Sequence, residues 1–269
     1  MRTILAVLAL ALAGCPAGLE EQQHIGKLRV LAVRADPPEL VLLPDAGLPA
    51  TTLAALAIDP SGAPISMRFA LCTDLSGVPS SNLPCPGTAG IDLPGAGPLA
   101  ARLDLSDPRI LAFAASAQLD GGAFDAGGLV QTLDDGVPLL YGFQATTDAA
   151  RLDGFGTITF RTGKRGPAGT NPELLSLDLD GGVHPGATVR LTPITAPKDD
   201  ATKRYGFSFF ATAGEISSLR STDTTASGQS ASTWVDWTVP DAGGAVRLWV
   251  VVRDGRGGTA FLEREVTVR

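Results

Sequence analysis

The sequence predicts a mainly β protein of two β-sandwich-type domains, with one short helix in the N-terminal domain. Three observations lead there. Glycine and proline number 32 and 20 in 269 residues, the punctuation of many tight turns between short strands. The runs between those turns alternate apolar and polar residues with a period of two, as strands with one buried face do. Hydrophobic residues make up 44% and charged residues 18%, a balance that demands a packed core and excludes disorder and coiled coils. At this length the chain has room for two ordinary domains.

Residues 1–14 carry one charge, Arg2, and then an apolar run over 4–12, shorter than the ~20 residues a membrane-spanning helix needs. They read as an export signal. Leu12-Ala13-Gly14-Cys15 resembles the lipobox of bacterial lipoprotein signal peptides at all four positions. The resemblance implies that Cys15 becomes the acylated first residue of the mature chain, lipid-anchored in the cell envelope. Several acyl chains at ~0.8 kcal/mol per buried CH₂ make such an anchor stable. Pro16 rather than Asp follows the cysteine, which in such lipoproteins favours the outer over the inner membrane. Residues 15–27 are polar without apolar periodicity and read as a lipidated tether.

The N-terminal domain spans 28–161. Its first strand covers 28–34 and is stopped by Ala35-Asp36-Pro37-Pro38-Glu39, because proline cannot donate to a ladder and restricts its predecessor. Further strands are expected over 53–58, 67–72, 101–105, 137–146 and 156–161. Ser106-Asp107-Pro108 can cap a helix over 109–119, with Ile110, Phe113 and Ala117 at helical spacing and Gly121-Gly122 ending it.

The run TGKRGPAGTNP at 162–172 is a linker by composition. After it, 173–269 holds seven strand candidates: 174–179, 187–192, 204–212, 215–219, 233–239, 245–253 and 259–268. That density is what a sandwich requires. Val246, Leu248, Val250 and Val252 share one strand face, and Tyr205, Phe207 and Phe209 share another. In the last strand Ala260, Leu262, Val266 and Val268 point inward with Arg264 the exception, while Glu263, Glu265 and Thr267 point to solvent. Asp254-Gly255-Arg256-Gly257-Gly258 is a hairpin signal.

The stretch from Trp237-Thr238-Val239-Pro240-Asp241 to Val246-Arg247-Leu248-Trp249-Val250-Val251-Val252-Arg253-Asp254-Gly255 resembles the final strands of immunoglobulin-like or PKD-like domains of bacterial envelope proteins. With the lipobox and the LRVLAVRADPPE opening, the chain is similar to uncharacterised surface lipoproteins of Gram-negative bacteria. The resemblance implies an immunoglobulin-like C-terminal sandwich. It departs from antibody domains in having no cysteine after Cys85, hence no inter-sheet pair.

Few residues can carry chemistry. Cys72 and Cys85 enclose a loop rich in Ser, Pro and Gly, and in an exported chain a disulfide is the economical reading, contributing ~3 kcal/mol. A metal or redox pair is the competing one, but the spacing is neither C-x-x-C nor a zinc pattern. His24 lies in the tether. His184 lies in a turn, Gly182-Val183-His184-Pro185-Gly186, without a G-x-S-x-G elbow to present a nucleophile. Gly95-Ala96-Gly97-Pro98-Leu99-Ala100 fits G-x-G-x-x-A, but Pro98 denies it the strand-turn-helix context that gives the motif meaning. Asp178, Asp180, Asp134-Asp135 and Asp199-Asp200 are hard donors suited to calcium, yet none sits in a recognised loop, and solvated turn aspartates are the expectation. Trp234, Trp237 and Trp249 suggest a carbohydrate platform, but the three-residue spacing of the first two puts them on opposite faces, so a mixture of core and edge packing is expected.

A net charge of −7 offers no footprint for phosphate backbones or anionic lipid surfaces, which excludes nucleic acid as a partner. The reading is a cell-envelope lipoprotein without cofactor or metal, a non-catalytic binding or scaffolding module at the membrane surface whose partner is an envelope protein or polysaccharide. Two alternatives stand beside it. A polysaccharide-directed hydrolase would show two carboxylates converging in a pocket with at least one shifted pKa. An accessory subunit of an envelope assembly or secretion complex would show an exposed apolar patch above ~400 Å².

Overall fold

The computed structural model describes residues 22–72, 90–116, 133–224 and 231–269. The first nine strands are β1 (Arg29–Asp36), β2 (Glu39–Leu42), β3 (Ala50–Ile58), β4 (Ser66–Cys72), β5 (Gly90–Asp92), β6 (Gly95–Gly97), β7 (Ala100–Asp104), β8 (Val137–Thr146) and β9 (Arg151–Thr162). They form two sheets, ordered β1-β3-β7-β6 and β2-β9-β8-β4-β5, antiparallel except for β2 against β9. Helix α1 (Pro108–Ser116) lies between β7 and β8. Asp107 caps it, its Oδ1 accepting from the Arg109 N–H at 2.9 Å, with Pro108 in the first helical position. Ile110 seats the helix in a core built from Leu40, Leu53, Phe69, Leu71, Leu103, Leu139 and Ile158.

The C-terminal strands are β10 (Leu174–Asp180), β11 (Thr188–Thr195), β12 (Gly206–Ala211), β13 (Glu215–Ile216), β14 (Arg220–Thr222), β15 (Val235–Thr238), β16 (Gly244–Arg253) and β17 (Thr259–Val268). Their sheets are β10-β11-β15-β13 and β14-β12-β16-β17. The first, second and sixth strands share one sheet, and the third, seventh and eighth share the other. This is the A-B-E and C-F-G division of an immunoglobulin sandwich. The N-terminal sheets follow the same scheme, with β1, β3 and β7 opposite β4, β8 and β9. Both sandwiches therefore carry the immunoglobulin arrangement, whereas the sequence pointed to it only in the second.

The alternation of the C-terminal strands produces its core. Phe207, Phe209, Val246, Leu248, Val250 and Val252 meet Leu177, Leu191 and Trp237 from the facing sheet. Arg264, the inward exception, reaches across and donates to the Leu177 carbonyl, covering the inner edge of β10.

Several expectations need correction. The tether was expected to run to residue 27, yet Ile25 is 1% exposed. Its N–H donates to the Ala211 carbonyl at 2.9 Å, and the Ala211 N–H donates to the Gln23 carbonyl at 3.0 Å, so this segment extends the edge of β12. A single large apolar side chain in a polar stretch leaves no periodic signal. The Ala35–Glu39 stop is weaker than expected: β1 runs through Asp36 and β2 starts at Glu39. Strands β2, β5, β6 and β14 were missed because three or four residues cannot show a period.

Strand β9 begins at Arg151, not 156, because glycine there is a packing residue. Gly154 pairs with Phe143 and Gly156 with Tyr141 across β8. A Cβ on Gly154 would fall in the Phe143 ring, and one on Gly156 would fall on the Tyr141 hydroxyl. Burial holds that hydroxyl's pKa up at about 12. Gly154→Ala or Gly156→Ala is expected to lower stability by about 1–3 kcal/mol through overpacking. The check is the urea midpoint at constant m, with Gly47→Ala, where a Cβ meets nothing within 4 Å, as the near-neutral control.

The two sandwiches are joined through a third apolar cluster. Leu31, Ala32, Leu56 and Ile58 on the outer face of β1 and β3 pack with Phe210, Trp249, Val251 and Phe261 on the outer face of β12, β16 and β17, and Ile25 completes the group. The sheet β14-β12-β16-β17 is thus covered on both faces, which explains why Leu248 to Val252 is an unbroken apolar run.

Candidate functional site

A cleft of about 610 Å³ opens where the sandwiches meet, lined by Glu39, Asp135, Arg161, Arg165, Asp199, Asp200, Lys203, Asp254 and Arg256. Strand β9 supplies Arg161, β2 supplies Glu39, and the β16–β17 hairpin supplies Asp254 and Arg256. Each carboxylate faces a cation. Arg161 Nη2 lies 2.8 Å from Glu39 Oε2, Arg165 pairs with Asp135 at 2.7 Å, and Arg256 pairs with Asp200 at 2.6 Å. Lys203 Nζ sits between Asp199 at 2.9 Å and Asp254 at 3.1 Å, its side chain 5% and that of Asp254 2% exposed.

These pairs immobilise the stretch expected to be a linker. Arg161 donates to the Gly166 and Pro167 carbonyls, each at 2.9 Å, and Lys203 donates to the Thr170 carbonyl at 2.8 Å. Asn171 donates through Nδ2 to the Ala35 carbonyl at 2.8 Å and accepts from the Thr259 N–H at 2.9 Å, bonding one backbone in each sandwich. Asp254 Oδ1 accepts from the Arg256 and Gly258 N–H groups, both at 2.8 Å, and so closes the hairpin. Composition reads 162–172 as a linker, and its glycines and prolines give no sign of a segment fastened at both ends.

The cleft does bring together carboxylates of shifted pKa, the feature expected of the hydrolase alternative, but the shifts are downward and each of these carboxylates is engaged by a cation of the chain, as in a clamp. The hydrogen bond from Lys203, then that from Thr170, holds Asp199 down at about 2. The Thr202 N–H and hydroxyl and then Arg256 hold Asp200 below the usual carboxylate range. Burial pulls Lys203 down, but Asp199 and Asp254 outweigh it and leave its pKa raised. A general acid needs a carboxyl whose pKa is pushed up. Every resolved carboxylate shift among the described residues goes down.

The residues singled out from sequence distribute as follows. Cys15 and Cys85 lie outside the described residues, and Cys72 ends β4, buried beside Ala70 and Leu140. His184 sits in an exposed turn between β10 and β11, while His24 lies in the docked segment against Ala211. Gly95 to Ala100 forms β6, a turn and the start of β7, not a nucleotide loop. Asp134 pairs with Lys164 at 2.8 Å, and Asp135, Asp199 and Asp200 likewise face cations of the chain itself while staying open to solvent; Asp178 and Asp180 are exposed as expected, Asp178 accepting from the Ser176 hydroxyl. Among the described residues no three His, Cys, Asp or Glu side chains come together to hold a metal ion.

Of the three tryptophans, Trp237 and Trp249 are fully buried and Trp234 is exposed. Trp237 donates from Nε1 to the Ala213 carbonyl at 3.1 Å. Trp234 lies on the outer face of the β11–β15 sheet with the Arg190 guanidinium 3.7 Å above its ring, and Arg190 in turn lies 3.6 Å from Asp236. The mixture of core and edge packing is therefore what the strands produce. Lys203, the Arg161–Glu39 pair and the outward role of Trp249 escaped the sequence reading. Only the last left a signal, an apolar run too continuous for a strand with one wet face.

No family model matches the chain, and no curated protein matches it. Solved structures that overlap it include the D00-D0 domain of intimin, 12% identical over 88% of this chain and 100% of that one, with a TM-score of 0.29. The fibronectin(III)-like modules of CbhA from Clostridium thermocellum overlap at 12% identity, 88% and 94% coverage, and a TM-score of 0.26. The adhesin InvE of Yersinia pseudotuberculosis does so at 13% identity, 91% and 60% coverage, and 0.26. Overlaps this low fix neither a family nor a function for the chain.

Proposed function

We propose that this chain is a lipid-anchored, non-catalytic module of the cell envelope that holds a binding face at a set distance from the membrane. The observation carrying this reading is the junction. Two sandwiches are joined face to face by an apolar cluster and a polar clamp that engages the ionisable groups of the cleft with one another. Such an arrangement transmits position rather than performing proton transfer. With Cys15 acylated, the eight residue steps from Cys15 to residue 23 span at most ~3.3–3.6 Å each, so residue 23, bonded to Ala211, stays within roughly 30 Å of the lipid. The outer membrane and a protein or polysaccharide partner belong to the same proposal, as does a Cys72–Cys85 disulfide.

Intact mass spectrometry of the membrane-extracted protein, with and without reduction, tests it. The expected mass begins at a triacylated or diacylated Cys15 and rises by two protons on reduction. A chain beginning at Met1 with no lipid, recovered from the soluble fraction, would overturn the anchor.

A further inference from the structure

A second groove, of about 390 Å³, opens at the edge of the β14-β12-β16 sheet beside the docked N-terminal segment. Its lining includes Gln22, Leu31, Ser208, Phe210, Arg220 and Arg253. Register places its parts. Ser208 on β12 pairs with Arg220 on β14, and Gly206, one rung along, pairs with Arg253 on β16. The two arginines thus stand diagonally across a floor of Gly206 and Ser208. A Cβ at Gly206 would meet nothing within 4 Å, so the floor there is open. Ser208 is 8% exposed, and its hydroxyl has no hydrogen-bond partner among the described residues.

The charge pattern is unlike that of the neighbouring clefts. The junction cleft and the grooves at Arg34 and Arg68 each contain carboxylates, and this lining contains none. Nearby arginines have acidic partners, Arg247 with Glu263 at 3.9 Å and Arg256 with Asp200. Arg220 and Arg253 have no carboxylate partner among the described residues. Among the described residues Arg253 donates only to the Leu31 carbonyl, at 3.1 Å, which uses a small part of its planar fork. In a chain of net charge −7, two guanidinium groups without a carboxylate partner among the described residues, beside a free hydroxyl at the groove floor, form a local reversal of sign.

We propose that this groove binds a phosphate-class oxyanion, gripped from two sides by Arg220 and Arg253 with Ser208 donating from the floor. Guanidinium forks match such oxyanions bidentately, and charge-assisted hydrogen bonds of this kind are the strong ones. The volume falls in the range of small-ligand sites, leaving room for part of the group that bears the phosphate. Although open to solvent at its tip, Arg253 is crowded: desolvation, then the Arg220 charge, pull its pKa below the ordinary arginine value. A bound anion would relieve both. The proposal does not depend on the fate of Cys15.

The test is a titration of the full chain with inorganic phosphate at constant ionic strength, followed by the side-chain Nε–H signals of Arg220 and Arg253. Saturable shifts at both arginines are expected. Arg220→Gln or Arg253→Gln should weaken binding at least about tenfold, and Ser208→Ala by a smaller factor, with the thermal midpoint unchanged in Arg220→Gln, which removes no bond to the other sandwich. Shifts that grow linearly without saturating, or binding unchanged in the Arg220→Gln/Arg253→Gln double variant, would overturn it. Two competitors separate the sources of the phosphate. Displacement by glycerophosphoglycerol assigns the site to a phosphodiester lipid headgroup, and displacement by glucose 6-phosphate alone assigns it to a free sugar phosphate.

Discussion

Trp249→Ala is expected to destabilise the protein by about 3–5 kcal/mol and to separate the unfolding of the two sandwiches. The side chain is fully buried, but it faces away from the core of its own domain. Its neighbours Val250 and Leu248 fill that core, while Trp249 packs with Ile25, Leu31 and Ile58 of the other unit. Truncation removes a large apolar area and leaves a cavity between two rigid sheets that cannot close around it. Calorimetry should show one transition in the parent and two in the variant, with the second sandwich melting close to its own intrinsic midpoint. Trp249→Phe should cost far less. The buried indole N–H of Trp249 has no acceptor among the described residues, so the smaller ring loses volume but also removes an unpaired donor. If Trp249→Ala unfolds in a single transition at the parental midpoint, the cluster does not join the domains.

Lys203→Ala is the second large effect, about 3–5 kcal/mol, because it leaves Asp254 charged and buried without its partner. It also frees the Thr170 carbonyl and releases Asp199. Restoring neutrality should restore most of the stability. In Lys203→Met/Asp254→Asn the amide oxygen can still accept from the Arg256 and Gly258 N–H groups, and no lone charge remains, so the double variant should lie well above Lys203→Ala. The pH dependence follows from the directions of the shifts. Asp199 is lowered from 3.8 to about 2, so its contribution is present above pH ~4 and is lost as pH falls toward 2. Lys203 is raised above 10.5, so its contribution is full below that value and is lost as pH rises through the raised pKa. The clamp is therefore closed across the neutral range. In Lys203→Ala the acid limb tied to Asp199 should shrink, which denaturant midpoints at pH 3 and pH 7 would reveal. An unaltered difference between those two midpoints would remove Lys203 from the clamp.

How far the sequence could be read depended on the range of the interaction concerned. Strand β8 and strand β17 have the boundaries expected for them, because ten residues of alternation announce a strand locally. Helix α1 was legible from Asp107-Pro108 for the same reason. The strand expected from 156 has Gly156 as its first residue and excludes Gly154, yet these are the two positions that admit the Phe143 and Tyr141 rings from across the sheet. Of the aspartates flagged as possible cation ligands, Asp134, Asp135, Asp199 and Asp200 do hold cations, but those of Lys164, Arg165, Lys203 and Arg256. Nothing in the spacing of Asp199 and Lys203 distinguishes that pair from any surface pair four residues apart. Burial of Lys203 beside Asp254, 51 positions further on, is what changes its meaning.

The amino-acid sequence by itself determined that the chain is a β protein of two sandwiches, where most strands run, and which face of each turns inward. These follow from the period of two, a property of a few consecutive residues. The tertiary structure decided how the two sandwiches meet. That rests on Ile25, Leu31 and Ile58 finding Trp249 and Val251, and on Asn171 bonding Ala35 and Thr259. Those partners lie some two hundred residues apart in the first case and 136 and 88 in the second. Contacts at such separations leave no periodic trace, because each is a single residue whose partner becomes its neighbour only when both sheets have already formed.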